Sequence, residues 1–203
     1  MPHKSSGELL LQKEKGSAKK AESFYKNQVR LSLNEKMREF ISYQTMAFVA
    51  TAGSDGDCDC SFRAGEPGFI KVLDKNTLIY PEFKGNGVFA SLGNLKENEK
   101  ISLLFIDFVY DQVGLHINGT GKIFNTDDLS SALQEKGYPL FSQKIKSAGK
   151  IEYWVWVTVE EAYIHCSKHI IKMVPEADSR ALNWGTDDLK KKKGDFFHTK
   201  SLK

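Results

Sequence analysis

The chain has 203 residues, of which 40% are hydrophobic and 27% charged, enough for one cored domain with appended segments rather than two full domains. A formal net charge of +3, much of it in end clusters at Lys13, Lys15, Lys19 and Lys20 and at Lys190 to Lys193, argues for solvated tails and against nucleic acid. No apolar stretch is long enough for a bilayer, the N-terminus lacks a signal-peptide core, and Cys58, Cys60 and Cys166 cannot all pair, so a cytoplasmic protein is expected.

The first third reads as helical. Lys19 to Val29 places Ala21, Phe24, Tyr25 and Val29 near one helix face. A second start follows at Ser32-Leu33-Asn34-Glu35, which has capping-box spacing, with Met37, Phe40 and Ile41 behind it as an apolar stripe.

From Met46 the period becomes that of strands. Met46 to Thr51 turns through Ser54-Asp55-Gly56-Asp57 into Cys58 to Arg63. Gly65, Pro67 and Gly68 interrupt before Phe69 to Leu73, and Asp74-Lys75-Asn76 turns into Thr77 to Tyr80. A short helix is expected within Val88 to Leu95. Ile101 to Phe108 reads as a strand buried on both faces, and Val113 to Phe124 as a strand whose Gly114, Gly119 and Gly121 mark bulges or close approaches. Asp127 to Lys136 reads as a helix and Ile151 to Cys166 as a long final strand. The sum is a mainly β core of six or seven antiparallel strands with peripheral helices. The expected divisions are a helical segment over 1–45, a barrel over 46–170 and a tail over 171–203.

Chemistry concentrates in one stretch. Arg63 and Lys71 fall on adjacent predicted strands and can point to one side, near Ser61. Lys84 and Asn86 lead into a helix start, where free N–H groups and the helix dipole favour an anion. Ser91 and Asn94 add neutral donors one turn apart. Cations, hydroxyls, amides and a helix terminus together suit a phosphate monoester, whereas the plainer reading is a set of surface turns.

The run Arg63 to Asp74, then Thr77-Leu78-Ile79-Tyr80-Pro81, Gly85-Asn86, Ser91 to Leu95, Asn98 and Leu103 to Phe108 resembles the flavin-nucleotide-binding branch of the pyridoxamine-phosphate-oxidase-like family. His116 to Gly119, Val157 to Cys166 with Lys168, Gly7-Glu8 and Trp184 to Asp188 extend the likeness over most of the chain. The resemblance implies a six-stranded split β-barrel that forms a homodimer and holds FMN between its subunits. It implies cofactor contacts from Ser61, Arg63, Lys71, Val72, Lys84, Asn86, Ser91 and Asn94; His165 and Lys168 are read beside these as contacts to flavin or a substrate anion from the partner subunit. An FMN-dependent oxidoreductase of unknown substrate, with a donor such as NAD(P)H, follows as the functional expectation. One departure stands out: the last strand ends Tyr163-Ile164-His165-Cys166-Ser167-Lys168-His169, without the arginine- and tryptophan-containing segment of true oxidases.

Two other classes stay open. One is a flavin carrier without turnover. The other is a haem-binding split barrel using His116, His165 or His169 as axial ligand. Cys58 and Cys60 with His165, Cys166 and His169 match no standard zinc spacing, so no metal is assigned, and Cys166 reads as a buried thiol. Trp154 and Trp156 share one side of their strand, where packing is the plainer role.

Overall fold

The structure is a computed structural model and describes residues 4–146, 150–175 and 185. Three helices open it: α1 (Ser6–Glu14), α2 (Ala18–Gln28) and α3 (Glu35–Tyr43). The first is a helix that periodicity did not reveal. A genuine capping box starts it, with Ser5 accepting from the Glu8 amide while the Glu8 carboxylate accepts from the Ser5 amide. Ser32 does not cap α3 as expected. Asn34 does, taking the Met37 amide at 2.9 Å, because its side chain stands one residue before the first helical turn.

Seven strands follow: β1 (Met46–Ala52), β2 (Cys58–Ala64), β3 (Lys71–Asp74), β4 (Thr77–Phe83), β5 (Lys100–Ile106), β6 (Gly114–Phe124) and β7 (Ile151–His165). Helix α4 (Ala90–Glu97) joins β4 to β5, and α5 (Thr126–Glu135) and α6 (Pro139–Lys146) join β6 to β7. All neighbouring strands are antiparallel, in the order β2-β1-β5-β6-β7-β4-β3. The expected count of six is therefore corrected to seven, and hydrogen bonding does not close the sheet: β2 and β3 remain edges.

Alternation along the strands divides the interior in two. Ala47 and Val49, Leu78 and Tyr80, Leu103 and Phe105, Ile117, Val155 and Val157 pack in one core with Phe40 and Ile41 of α3 and Leu92 and Leu95 of α4. Because three strands separate β1 from β4 yet both share this core, the sheet is rolled about it. The other face of β4 and β7 supplies Ile79, Trp154 and Trp156 to a second core with Leu129, Leu133 and Ile145 from α5 and α6. The tryptophans are thus packing residues of this chain. β7 is buried on both faces over 154–157, whereas β5, expected to be so throughout, alternates buried and half-buried residues because its outer face carries no helix.

Gly119 is forced by backbone contact. The β6–β7 register shifts between Asn118 and Gly119, where Glu160 of β7 is the extra residue, and a Cβ on Gly119 would lie 2.0 Å from the Thr158 carbonyl oxygen. No helix among the described residues is long and apolar enough to cross a membrane.

The second core predicts a contrast. Leu133 is fully buried and Leu10 is 58% exposed. Leu133→Ala should cost about 2–5 kcal/mol in urea unfolding, whereas Leu10→Ala should stay within about 0.5 kcal/mol of the parent.

Candidate functional site

β2 inverts the usual pattern of a barrel strand. Its core-facing positions are Asp59, Ser61 and Arg63, paired with Thr51, Val49 and Ala47, while Cys58, Cys60 and Phe62 face outward. Polar side chains can occupy that face because β2 is an edge, where the rolled sheet opens.

Across the opening stands Glu82, on the same face of β4 as the core residues Leu78 and Tyr80. Arg63 Nε donates to Glu82 Oε1 at 2.8 Å, so the first strand in the sheet order is tied to the sixth by side chains. Arg63 Nη2 donates to Ser91 Oγ at 3.3 Å, and Nη1 to the Phe62 carbonyl at 3.2 Å. Ser91 and Ser61 both donate to Asp59 Oδ2, at 2.6 and 2.8 Å.

These bonds set the charges. The Ser91 and Ser61 hydroxyls hold the Asp59 carboxyl below its ordinary range. Burial pushes Glu82 up, and the Arg63 guanidinium pulls it only partway back. Tyr80, two residues before Glu82, is wholly buried, and its hydroxyl finds no partner; burial and the Glu82 charge keep it protonated.

The cluster lines a cavity of about 630 Å³, within the usual range for small-molecule sites. Its far wall is the loop Gly85 to Phe89 and the first turn of α4, from Ala90 to Leu92. That helix starts without a side-chain cap, after Phe89 in the left-handed region, so its first amides are left for a ligand or water.

Of the sequence-predicted residues, Ser61, Arg63, Asn86 and Ser91 meet at this cavity. The others do not. Asn94, one turn along α4, donates instead to Thr51 Oγ1 at 3.1 Å. Lys84 is exposed beside the loop and is absent from the lining. Lys71 pairs with Ile79 and Val72 with Leu78, so Lys71 faces the second core and not Arg63's side of the sheet. The expectation that Arg63 and Lys71 point one way is corrected, because adjacency of strands in sequence is not adjacency in the sheet. Lys71 and Val72 line a separate cavity of about 360 Å³ with Arg38 and Phe141, and Lys71 Nζ donates to the Gly68 carbonyl at 2.5 Å.

His165 lies on the outer face of the sheet. Its Nδ1 meets His116 Nε2 at 3.0 Å, and His116 stacks on Tyr163 with centroids 4.7 Å apart. Burial first, then the neighbouring His165, lowers the pKa of His116. Lys168 sits in the 3-10 turn Ser167–His169, and Cys166 is exposed rather than buried, as are Cys58 and Cys60. Among the described residues no three His, Cys, Asp or Glu side chains gather as a metal site. The tail after Pro175 lies outside the described residues except for Gly185.

Sequence reasoning missed Asp59 and Glu82. The signal for Asp59 was the Asp-x-Ser-x-Arg alternation, which puts three polar side chains on one strand face. Glu82 carried no comparable local signal.

The same face has an apolar counterpart outside. Phe62, Phe48, Leu104, His116 and Tyr163 stand opposite one another in register across five strands, with Phe62 55% exposed.

Two stability effects follow from the cluster. Arg63→Ala leaves Glu82 buried and unpaired and should cost about 3 kcal/mol or more in denaturant unfolding, whereas Arg63→Met with Glu82→Leu recovers most of that loss. The depressed Asp59 carboxyl stabilises the fold above its ordinary pKa of about 3.9 and loses that contribution as pH falls through its folded value. The stability gap between parent and Asp59→Asn should therefore be largest near neutrality and shrink below about pH 4 in a pH series of melts.

No curated protein matches the chain. Among solved structures it is similar to HupZ of Group A Streptococcus, at 20% identity over 63% of this chain and 90% of that one, with a TM-score of 0.44. A Lactobacillus delbrueckii protein named for pyridoxamine 5'-phosphate oxidase matches at 20% identity over 66% and 95%, TM-score 0.46. HutZ, described as the haem storage protein of Vibrio cholerae, matches at 11% over 65% and 94%, TM-score 0.42. None of these likenesses bears on what this chain binds. The family model described as pyridoxamine 5'-phosphate oxidase, however, matches residues 33–166, about two thirds of the sequence. The chain belongs to the pyridoxamine 5'-phosphate oxidase family.

Proposed function

We propose that this protein binds FMN as a homodimer and acts as an FMN-dependent oxidoreductase. The observation that carries the reading is the Arg63 cavity. It has the volume for a flavin nucleotide, a guanidinium with N–H groups to spare, Asn86, and the uncapped start of α4 for a phosphate. Its apolar lining, with Phe62, Phe83, Val88, Phe89 and Leu92, suits a planar ring. The residues present thus fit the group. Arg63, Asn86 and the α4 amides would hold the phosphate, and the aromatic and aliphatic wall would exclude water. FMN itself supplies hydride and electron transfer at its ring.

The homodimer is read from the outer row of Phe62, Phe48, Leu104, His116 and Tyr163, of which Phe62 is exposed and the others half-buried. Phe62 belongs both to that row and to the cavity lining, so a second copy packed there would border the site. In one protomer Lys71 lies on the far face of the sheet, so it enters this reading only if the second copy brings it. The departure after Tyr163 keeps pyridoxamine-phosphate oxidation out of the proposal.

A second reading, haem, is favoured by one observation. The His116–His165 pair is held in place by a 3.0 Å contact, and a ligating histidine is ordinarily oriented through its other ring nitrogen.

Visible spectra of the purified protein separate these. Expected is a yellow protein, or one that turns yellow with added FMN, and that bleaches with dithionite or NAD(P)H. A Soret band would favour haem, flavin binding without turnover would favour a carrier, and failure to take up FMN overturns the proposal. Phe62→Glu should give a monomer by light scattering and release the flavin. Arg63→Ala should weaken FMN binding by roughly 1.5–3 kcal/mol, the range for a lost charge-assisted hydrogen bond.

A further inference from the structure

The N-terminal lysines, expected as a solvated tail, stand instead on a folded projection. Lys13 lies in the last turn of α1, Lys15 caps that helix, and Lys19 and Lys20 lie in the first turn of α2. The two helices are held as a hairpin by Lys4 to Glu22 at 2.8 Å and by hydrogen bonds among Tyr25, Glu8 and Gln12. α2 lies on the outer face of β7, where the Phe24 ring meets Tyr163 edge-on with centroids 6.0 Å apart and Arg30, just past the helix, bridges to Ala162. The hairpin therefore rises above the Tyr163 end of the outer row by about 10 Å, the width of a helix. The opposite end of that row is open, with Phe62 on the edge strand β2 55% exposed.

Charge divides in the same way. Residues 4–28 hold six lysines against three glutamates, whereas residues 46–62, the β1–β2 hairpin, hold Asp55, Asp57 and Asp59 and no lysine or arginine. Among the described residues Lys13, Lys15, Lys19 and Lys20 form no ion pair, and Asp55 and Asp57 are exposed at the turn. In a two-fold contact one surface meets itself, so a second copy on this face lies with like row ends together or with opposite ends together. Like ends set two projecting basic hairpins against each other and hold the Phe62 ends apart. Opposite ends seat each projection at the open edge of the other copy and bring lysines towards aspartates. We propose that the α1–α2 hairpin is the docking arm of the homodimer, seated against the β1–β2 hairpin of a second copy. This rests on the homodimer reading and adds which surfaces meet. Because Phe62 also lines the Arg63 cavity, the partner's Phe24 then stands beside that cavity.

The test is charge reversal on the full chain, read as the dimer dissociation constant by sedimentation, with circular dichroism to confirm folding. Lys13→Glu, Lys15→Glu, Lys19→Glu and Lys20→Glu together should raise that constant at least about tenfold at low salt, and so should Asp55→Lys with Asp57→Lys, since each set turns attraction into repulsion. The two sets combined should return it to within about threefold of the parent, a recovery that two independent losses do not produce. The parent alone should dissociate at least about threefold more readily at roughly 0.5 M salt than at roughly 0.05 M, because exposed charges are screened. A parent dimer indifferent to salt, a dimer unchanged by either reversal, or a combined variant without recovery overturns this inference and leaves the homodimer standing. A parent that is monomeric throughout overturns the homodimer reading and this inference with it.

Discussion

The contact on which the site depends is the pair Arg63–Glu82. It joins two strands that are far apart in the hydrogen-bonded order, so the rolled sheet is completed by a guanidinium and a carboxylate where backbone bonding stops. A pair this enclosed is expensive to form, since two ions leave water, and its Coulombic gain is offset by that desolvation. Its role is better understood as geometry than as net stability. It fixes where β2 stands relative to β4 and thereby shapes the cavity between them. It also leaves Arg63 with donors free to meet a ligand, because one carboxylate oxygen uses only the Nε side of the fork.

The rest of the site follows from strand alternation around that pair. Asp59 and Ser61 share Arg63's face because they precede it by four and two residues, and Ser91 reaches them because α4 packs Leu92 and Leu95 onto the same core. The outward residues of β2 are Cys58, Cys60 and Phe62, so one short strand carries a polar site on one side and an apolar surface on the other. Phe62 belongs to both, lining the cavity and standing exposed on the outer surface.

Much of the fold was legible because local signals agreed with it. The turn at Asp55-Gly56, the glycines of β6 and the Trp-x-Trp alternation of β7 each placed an element or its faces correctly, Gly119 most plainly through its contact with Thr158. α1 was not legible: its apolar residues Leu9, Leu10 and Leu11 are consecutive and trace no stripe that periodicity could detect. Half of the site was legible in the same sense. Ser61, Arg63, Asn86 and Ser91 were found from residue type and order. Lys71 was misplaced because consecutive strands were taken as neighbours, whereas β2 and β3 are opposite edges of the sheet.

What the sequence determined by itself was the kind of protein: a mainly antiparallel β chain with peripheral helices, carrying cations and hydroxyls in the order of its family. Period-two alternation and turn chemistry are local, and they survive any arrangement of the strands. Tertiary structure alone decided which polar groups meet. Asp59 and Glu82 are 23 residues apart, and nothing local pairs Glu82 with Arg63; only the rolling of the sheet brings the first strand against the sixth. The candidate site first read as a set of phosphate donors is, in the folded chain, a balance of donors and acceptors, because the core faces of two distant strands close on one cavity.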